Sequence, residues 1–160
     1  MASTGNGRRA LLKAALFAPV AVLAARSGSA RDYASAAEVF DAIDGLEADV
    51  AARLRGFQRA VPSSRRFVAS VTADHARHRA ARERFRRRLG LAASSAPAGG
   101  ASSAEPDLER LRAAQEALVY AHAEGLPAIG DRLVVDALAH HMVDLSRHLT
   151  VTQLWIETES

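Results

Sequence analysis

The sequence predicts an all-α protein, a four-helix bundle preceded by an N-terminal signal segment. Four amphipathic stretches follow one another, no stretch alternates as a strand would, and no internal repeat of solenoid length occurs. The chain has 160 residues, one domain's worth, and 49% of them are hydrophobic, enough for a real core. Cysteine is absent, which excludes disulfides, thiolate ligands, cysteine nucleophiles and a lipoprotein anchor together.

Residues 1–30 are set apart by charge and composition. They hold Arg8, Arg9, Lys13 and Arg26 and no acidic residue, so the formal charge of +3 and the predicted pI of 10.1 belong to this segment. Without it, 17 basic residues face 18 acidic ones, a net charge of −1. A basic start, an apolar run over Ala14–Ala25 and the small residues Ser27-Gly28-Ser29-Ala30 make the three parts of an export signal. The apolar run falls short of the ~20 residues that span a bilayer. Arg8-Arg9-Ala10-Leu11-Leu12-Lys13 resembles the twin-arginine motif, departing from it at Gly7 and Leu11. The resemblance implies the twin-arginine export machinery as a partner, a periplasmic or otherwise extracytoplasmic location, and cleavage after Ala30. It also implies no stable membrane span in the mature chain, residues 31–160. That route carries folded proteins, often with a cofactor already loaded.

The first helix opens on the capping box Ser35-Ala36-Ala37-Glu38. Its stripe runs Phe40, Ile43, Val50, Leu54, Phe57 and Val61, with Glu47 in the slot the apolar residues skip. Gly45 and Gly56 inside it suggest close packing that offsets their cost of about 1 kcal/mol each. Pro62 ends this helix, and Pro62-Ser63-Ser64 caps the second, expected over 65–89. The stripe of the second helix is Val68, Val71, His75, His78, Arg82, Phe85 and Leu89. Its arginine-rich end reads as a solvated face favoured by the helix dipole. The one aromatic residue in that run, Phe85, belongs to the apolar stripe and not to the charged surface, so nucleic acid is not an expected partner.

Residues 90–106, rich in Ala, Ser, Gly and Pro, form a flexible linker by composition, long enough for either a turn or a crossover. The third helix is expected to start near Pro106, with Asp107 and Glu109 in its first turn and a stripe of Leu108, Leu111, Gln115, Leu118 and His122. Asp131 caps the fourth, whose stripe is Val135, Leu138, Met142, Leu145, Leu149 and Ile156, with His141 and His148 on its flank.

Glu47, His75, His78, Gln115 and His122 therefore point inward and need partners, because burying an unpaired polar group is costly. Counting outward from the turn near residues 62–63 puts Glu47 level with His78, and His75 one turn away. Counting from the turn near 128–129 puts Gln115 and Glu116 level with Met142 and His141. A Glu and two His spaced i, i+3 make half of a metal shell.

At this point the chain resembles the ferritin-like superfamily. Ala73-Asp74-His75-Ala76-Arg77-His78 and Val143-Asp144-Leu145-Ser146-Arg147-His148 are similar to its second- and fourth-helix Glu-x-x-His motifs. Glu116 followed by Tyr120 resembles the third ligand-bearing helix, and Glu47 the first. The resemblance implies a metal shell of Glu47, His75, His78, Glu116 and His148. His75 and Leu145 stand where the motifs carry glutamate, which points to a single Fe, Zn or Cu ion rather than a carboxylate-bridged pair.

No nucleophile–base arrangement, phosphate loop or metalloprotease motif occurs, and enzymatic activity is not the leading expectation. Two readings stand. One is an exported ferritin-like bundle that binds a transition metal for storage, redox or stress protection. The other is a metal-free bundle acting as a structural or partner-binding module in the cell envelope, as a homo-oligomer or with another protein.

Overall fold

The computed structural model of the chain describes residues 32–94 and 107–159. The expected export segment over 1–30 and most of the 90–106 linker lie outside them. The described residues form four helices: α1 (Ala36–Ala60), α2 (Arg65–Arg88), α3 (Leu108–Gly125) and α4 (Arg132–Glu159). Among the described residues there is no strand.

Local chemistry sets each helix end. Ser35 accepts the N–H of Glu38 at 3.3 Å, and the Glu38 carboxylate reaches back to the N–H of Ala34, one residue before the cap. Pro62–Ser64 is a short 3-10 turn, and Ser64 does not cap α2 as expected; its hydroxyl donates to the Val61 carbonyl at 2.6 Å instead. α2 ends at Gly90, whose φ of +69° only glycine adopts freely. The bonds from Leu91 N to Arg86 O and from Gly90 N to Arg87 O close a Schellman motif there. The cap of α3 is Asp107, which accepts from Arg110 N at 3.0 Å, so Pro106 precedes the helix. Asp131 caps α4 through Leu133 N and Val134 N, as expected.

Side-chain pairs give the directions. The α2 end meets the α1 start through Arg86 and Asp41, and the α4 start through Arg88 and Asp131. Gly125, the last residue of α3, lies against Val39 near the start of α1, where an added Cβ would fall on the Val39 side chain. Hence α2 and α3 run parallel and end at the same end of the bundle. With 18 residues at 1.5 Å each, α3 begins roughly 27 Å away, so the connection from α2 is a crossover rather than a turn. The sequence left that choice open.

The core holds Phe40, Ile43, Val50, Leu54 and Phe57 from α1, Val68 and Val71 from α2, Leu111, Leu118 and Val119 from α3, and Val134, Leu138 and Leu145 from α4. Trp155 meets Phe57 edge-on at 5.7 Å. Three expectations are corrected. Gly45 is exposed, with no neighbour within 4 Å of an added Cβ, so packing does not offset its cost. Arg82 and Arg86 are buried, not solvated, because aspartates and a glutamate of α1 receive them. The inward stripe of α4 is Val134, Leu138, His141, Leu145, His148 and Thr152, one residue round from the apolar stripe. That rotation carries both histidines from the flank into the core.

Candidate metal centre

Five of the six histidines are buried: His75 and His78 on α2, His122 on α3, His141 and His148 on α4. They form one chain through the core. Ring centres lie 5.7 Å apart for His148 and His75, 6.4 Å for His75 and His78, 4.0 Å for His78 and His141, and 6.3 Å for His141 and His122. His140, the sixth, is exposed and bonds the Asp136 carbonyl of its own helix.

The faces of α2 and α4 meet through two reciprocal clasps. Asp74 on α2 lies 2.9 Å from His148 Nε2 on α4, and Asp144 on α4 lies 3.3 Å from His78 Nε2 on α2. Arg77 and Arg147, one turn along the same helices, hold the other oxygen of each aspartate. Burial would raise Asp74, but the His148 hydrogen bond and the Arg77 charge hold it below its ordinary range. Ionised, it only accepts, so His148 carries its proton on Nε2.

The same logic orients three of the five rings and exposes a lone pair on each. His148 and His78 donate from Nε2, and their Nδ1 atoms are buried without a hydrogen-bond partner. His122 donates from Nδ1 to the Leu118 carbonyl at 2.9 Å, and its Nε2 is unpartnered. Both ring nitrogens of His75 and the Nδ1 of His141 are likewise unpartnered, as is the buried amide of Gln115. Nearly every buried polar group in a native protein has a partner, so this concentration is exceptional. An imidazole tied to an acceptor through one nitrogen and bare at the other is the form in which histidine ligates a metal.

Electrostatics keep these nitrogens bare. Burial, aided by neighbouring cations, pushes His75, His122 and His141 down to about 3. Burial also lowers His78 and His148 in spite of their aspartates. All five are neutral at pH 7, the protonation state that binds a metal.

Beside the imidazoles lies a buried ion-pair layer. Arg82 donates from Nε to Asp44 at 2.9 Å and pairs through its two terminal nitrogens with both Glu47 oxygens. Arg86 reaches Asp44 at 3.0 Å and Asp41 at 2.7 Å. Burial raises Glu47 despite Arg82, whereas the Arg82 charge and hydrogen bonds from Ser94, Arg82 and Arg86 overcome burial and lower Asp44.

Of the five residues expected to bind metal, His75, His78 and His148 come together. Glu47 reaches the same layer, its Oε1 3.8 Å from His75 Nδ1, but is engaged by Arg82. Glu116 does not join them: half-buried, it pairs with Arg112 at 3.3 Å in a surface groove lined by Leu149, Thr150 and Gln153. His141 stacks on His78 at 4.0 Å and lies 6.3 Å from His122. Sequence reasoning missed His141, His122 and the two aspartates as members of one cluster. A signal was there: Asp-x-x-Arg-His occurs twice, at 74–78 and 144–148, and the two copies clasp each other.

The rings fit a shared ion in spacing. Two imidazoles on one metal, at ~2 Å from each nitrogen, place their centres roughly 4.5–6.5 Å apart. His75–His148 and His75–His78 fall inside that range. Among the described residues no three His, Asp or Glu side chains already converge at bonding distance, so binding requires rotation of rings about their side-chain torsions. No protein-family model, curated protein or solved structure matches the chain.

Proposed function

We propose that this chain is an exported, ferritin-like helical-bundle protein that binds a transition metal through buried imidazoles, with His75, His78, His141 and His148 as ligands. One observation carries the metal reading: His78 and His148 are each fixed through Nε2 by an aspartate and bare at Nδ1, beside the buried unpartnered nitrogens of His75 and His141. The crossover between parallel α2 and α3 supports the ferritin-like assignment. Export rests on the twin-arginine-like segment ending at Ala30. Among the described residues no helix is long and apolar enough to cross a membrane.

A bound Zn would supply charge to the core, and Fe or Cu a redox couple. The protein's own residues do the remaining work. Asp74 and Asp144 fix two tautomers, Arg77 and Arg147 anchor those aspartates, and the surrounding burial keeps the rings deprotonated. This fits storage, redox or protection from metal stress.

Elemental analysis of the chain purified from its own exported fraction tests the reading. Near-stoichiometric Fe, Zn or Cu, lost in a His75→Ala/His148→Ala variant, is the expected result. Metal-free protein whose melting temperature is unmoved by added Fe, Zn or Cu ions overturns it and returns the bundle to a structural or partner-binding role.

A further inference from the structure

We propose that Arg82 sets which ions the centre accepts, by standing as a permanent cation between Asp44 and Glu47 and withholding these two carboxylates from the imidazole cluster. The inference rests on the metal-binding reading above.

Arg82 is the largest fully buried side chain, 1% exposed. Its Nε takes one Asp44 oxygen, its terminal nitrogens take both Glu47 oxygens, and Arg86 takes the other Asp44 oxygen at 3.0 Å. All four oxygens of these two buried carboxylates thus face a guanidinium. Unlike a proton, that charge cannot be released when a metal arrives, because arginine stays protonated at any working pH. A metal that took either carboxylate would strip a buried guanidinium of part of its pairing and set a second cation beside it, a costly change in a core. Asp74 and Asp144 are committed in turn to His148, His78 and the outer arginines.

Apart from the neutral amide of Gln115 and the hydroxyl of Thr152, the unpartnered lone-pair donors left in the core are imidazole nitrogens. Such a set suits Zn²⁺ and copper, whereas Mn²⁺ and Mg²⁺ want carboxylate, carbonyl or water oxygens. Asp44 and Glu47 stand one turn apart on α1 and are the buried oxygen donors a harder ion would use. Arg82 occupies them first.

The test is titration of the full chain with Zn²⁺ alone and with Mn²⁺ alone, free Mn²⁺ being read by its paramagnetic resonance signal. Wild type is expected to take Zn²⁺ and leave Mn²⁺ in solution. Glu47→Gln should keep wild-type Zn²⁺ affinity. Arg82→Met, which releases Glu47 and one Asp44 oxygen, should gain Mn²⁺ affinity by about tenfold or more. Should Arg82→Met be unfolded alone, recovery of its helical circular dichroism on adding Mn²⁺ supports the proposal equally. If that variant folds under no condition, Glu47→Gln decides. A loss of about tenfold or more in Zn²⁺ affinity in Glu47→Gln, as expected of a true ligand or its direct support, overturns the proposal and leaves the metal reading standing. A folded Arg82→Met with no gain in Mn²⁺ affinity does the same. Wild type that binds neither Zn²⁺ nor Cu²⁺ overturns both.

Discussion

At Gly45 the chain carries the helix penalty of glycine with nothing in return, since an added Cβ meets open space on an exposed turn of α1. Gly45→Ala is expected to raise unfolding stability by up to about 1 kcal/mol, read as a higher urea midpoint at unchanged slope. Gly125→Ala makes the same chemical change with the opposite sign, because its Cβ would press on Val39 where α3 approaches α1. Overpacking of that kind costs about 1–3 kcal/mol, more than helix propensity returns. At the aspartates the effect falls on the centre. Asp74→Asn and Asp144→Asn can hydrogen-bond but no longer dictate which ring nitrogen carries the proton. Each should lower metal affinity about 10–100-fold in a competition titration while leaving the helical spectrum unchanged.

Among the elements, the helices and their caps were largely legible. Ser35, Pro62 and Asp131 punctuate the chain by local chemistry that needs no tertiary context. The depth count about the first turn held to within a turn, because α1 and α2 are joined by a short connection: expected level with His78, Glu47 lies against His75, Arg79 and Arg82. Two features were not legible. The inward face of α4 is set by His141, His148 and Thr152, and an apolar stripe cannot find a face whose inward residues are polar. The α2–α4 seam joins residues from different hairpins, which no count along one hairpin reaches. The arginine run was misleading for a related reason: its burial depends on Asp44 and Glu47 receiving it. Arg82→Ala should therefore cost about 3–5 kcal/mol by stranding Glu47 and leaving Asp44 to Arg86 alone. Replacing Arg82 and Glu47 together by Met and Leu, with Asp44 left paired to Arg86, should recover most of that loss in urea denaturation.

For the whole molecule, the buried histidines make stability depend on pH. Their folded pKa values lie below the ordinary 6.5, down to about 3 for His75, His122 and His141. The unfolded chain therefore binds more protons in that interval. The histidine contribution is fully present above pH 6.5 and is lost as pH falls toward 3, at about 1.4 kcal/mol per pH unit for each histidine. Chelator-treated protein should show a flat urea midpoint between about pH 7 and 8 and a steep decline below 6.5. His122→Leu, which removes one such group from a fully buried site, should make that decline shallower.

The crossover has a consequence for assembly. The two hairpins, α1–α2 and α3–α4, can each form from contacts local in sequence. The clasps that orient His78 and His148, by contrast, join residues 66 and 74 positions apart. The centre is thus completed when the hairpins dock, and its geometry is dictated by their mating faces rather than by the tether between them. Loop-closure entropy grows only with the logarithm of length, about 0.6 kcal/mol per doubling. Doubling the 90–106 segment with Gly and Ser should accordingly slow docking slightly and leave metal affinity unchanged.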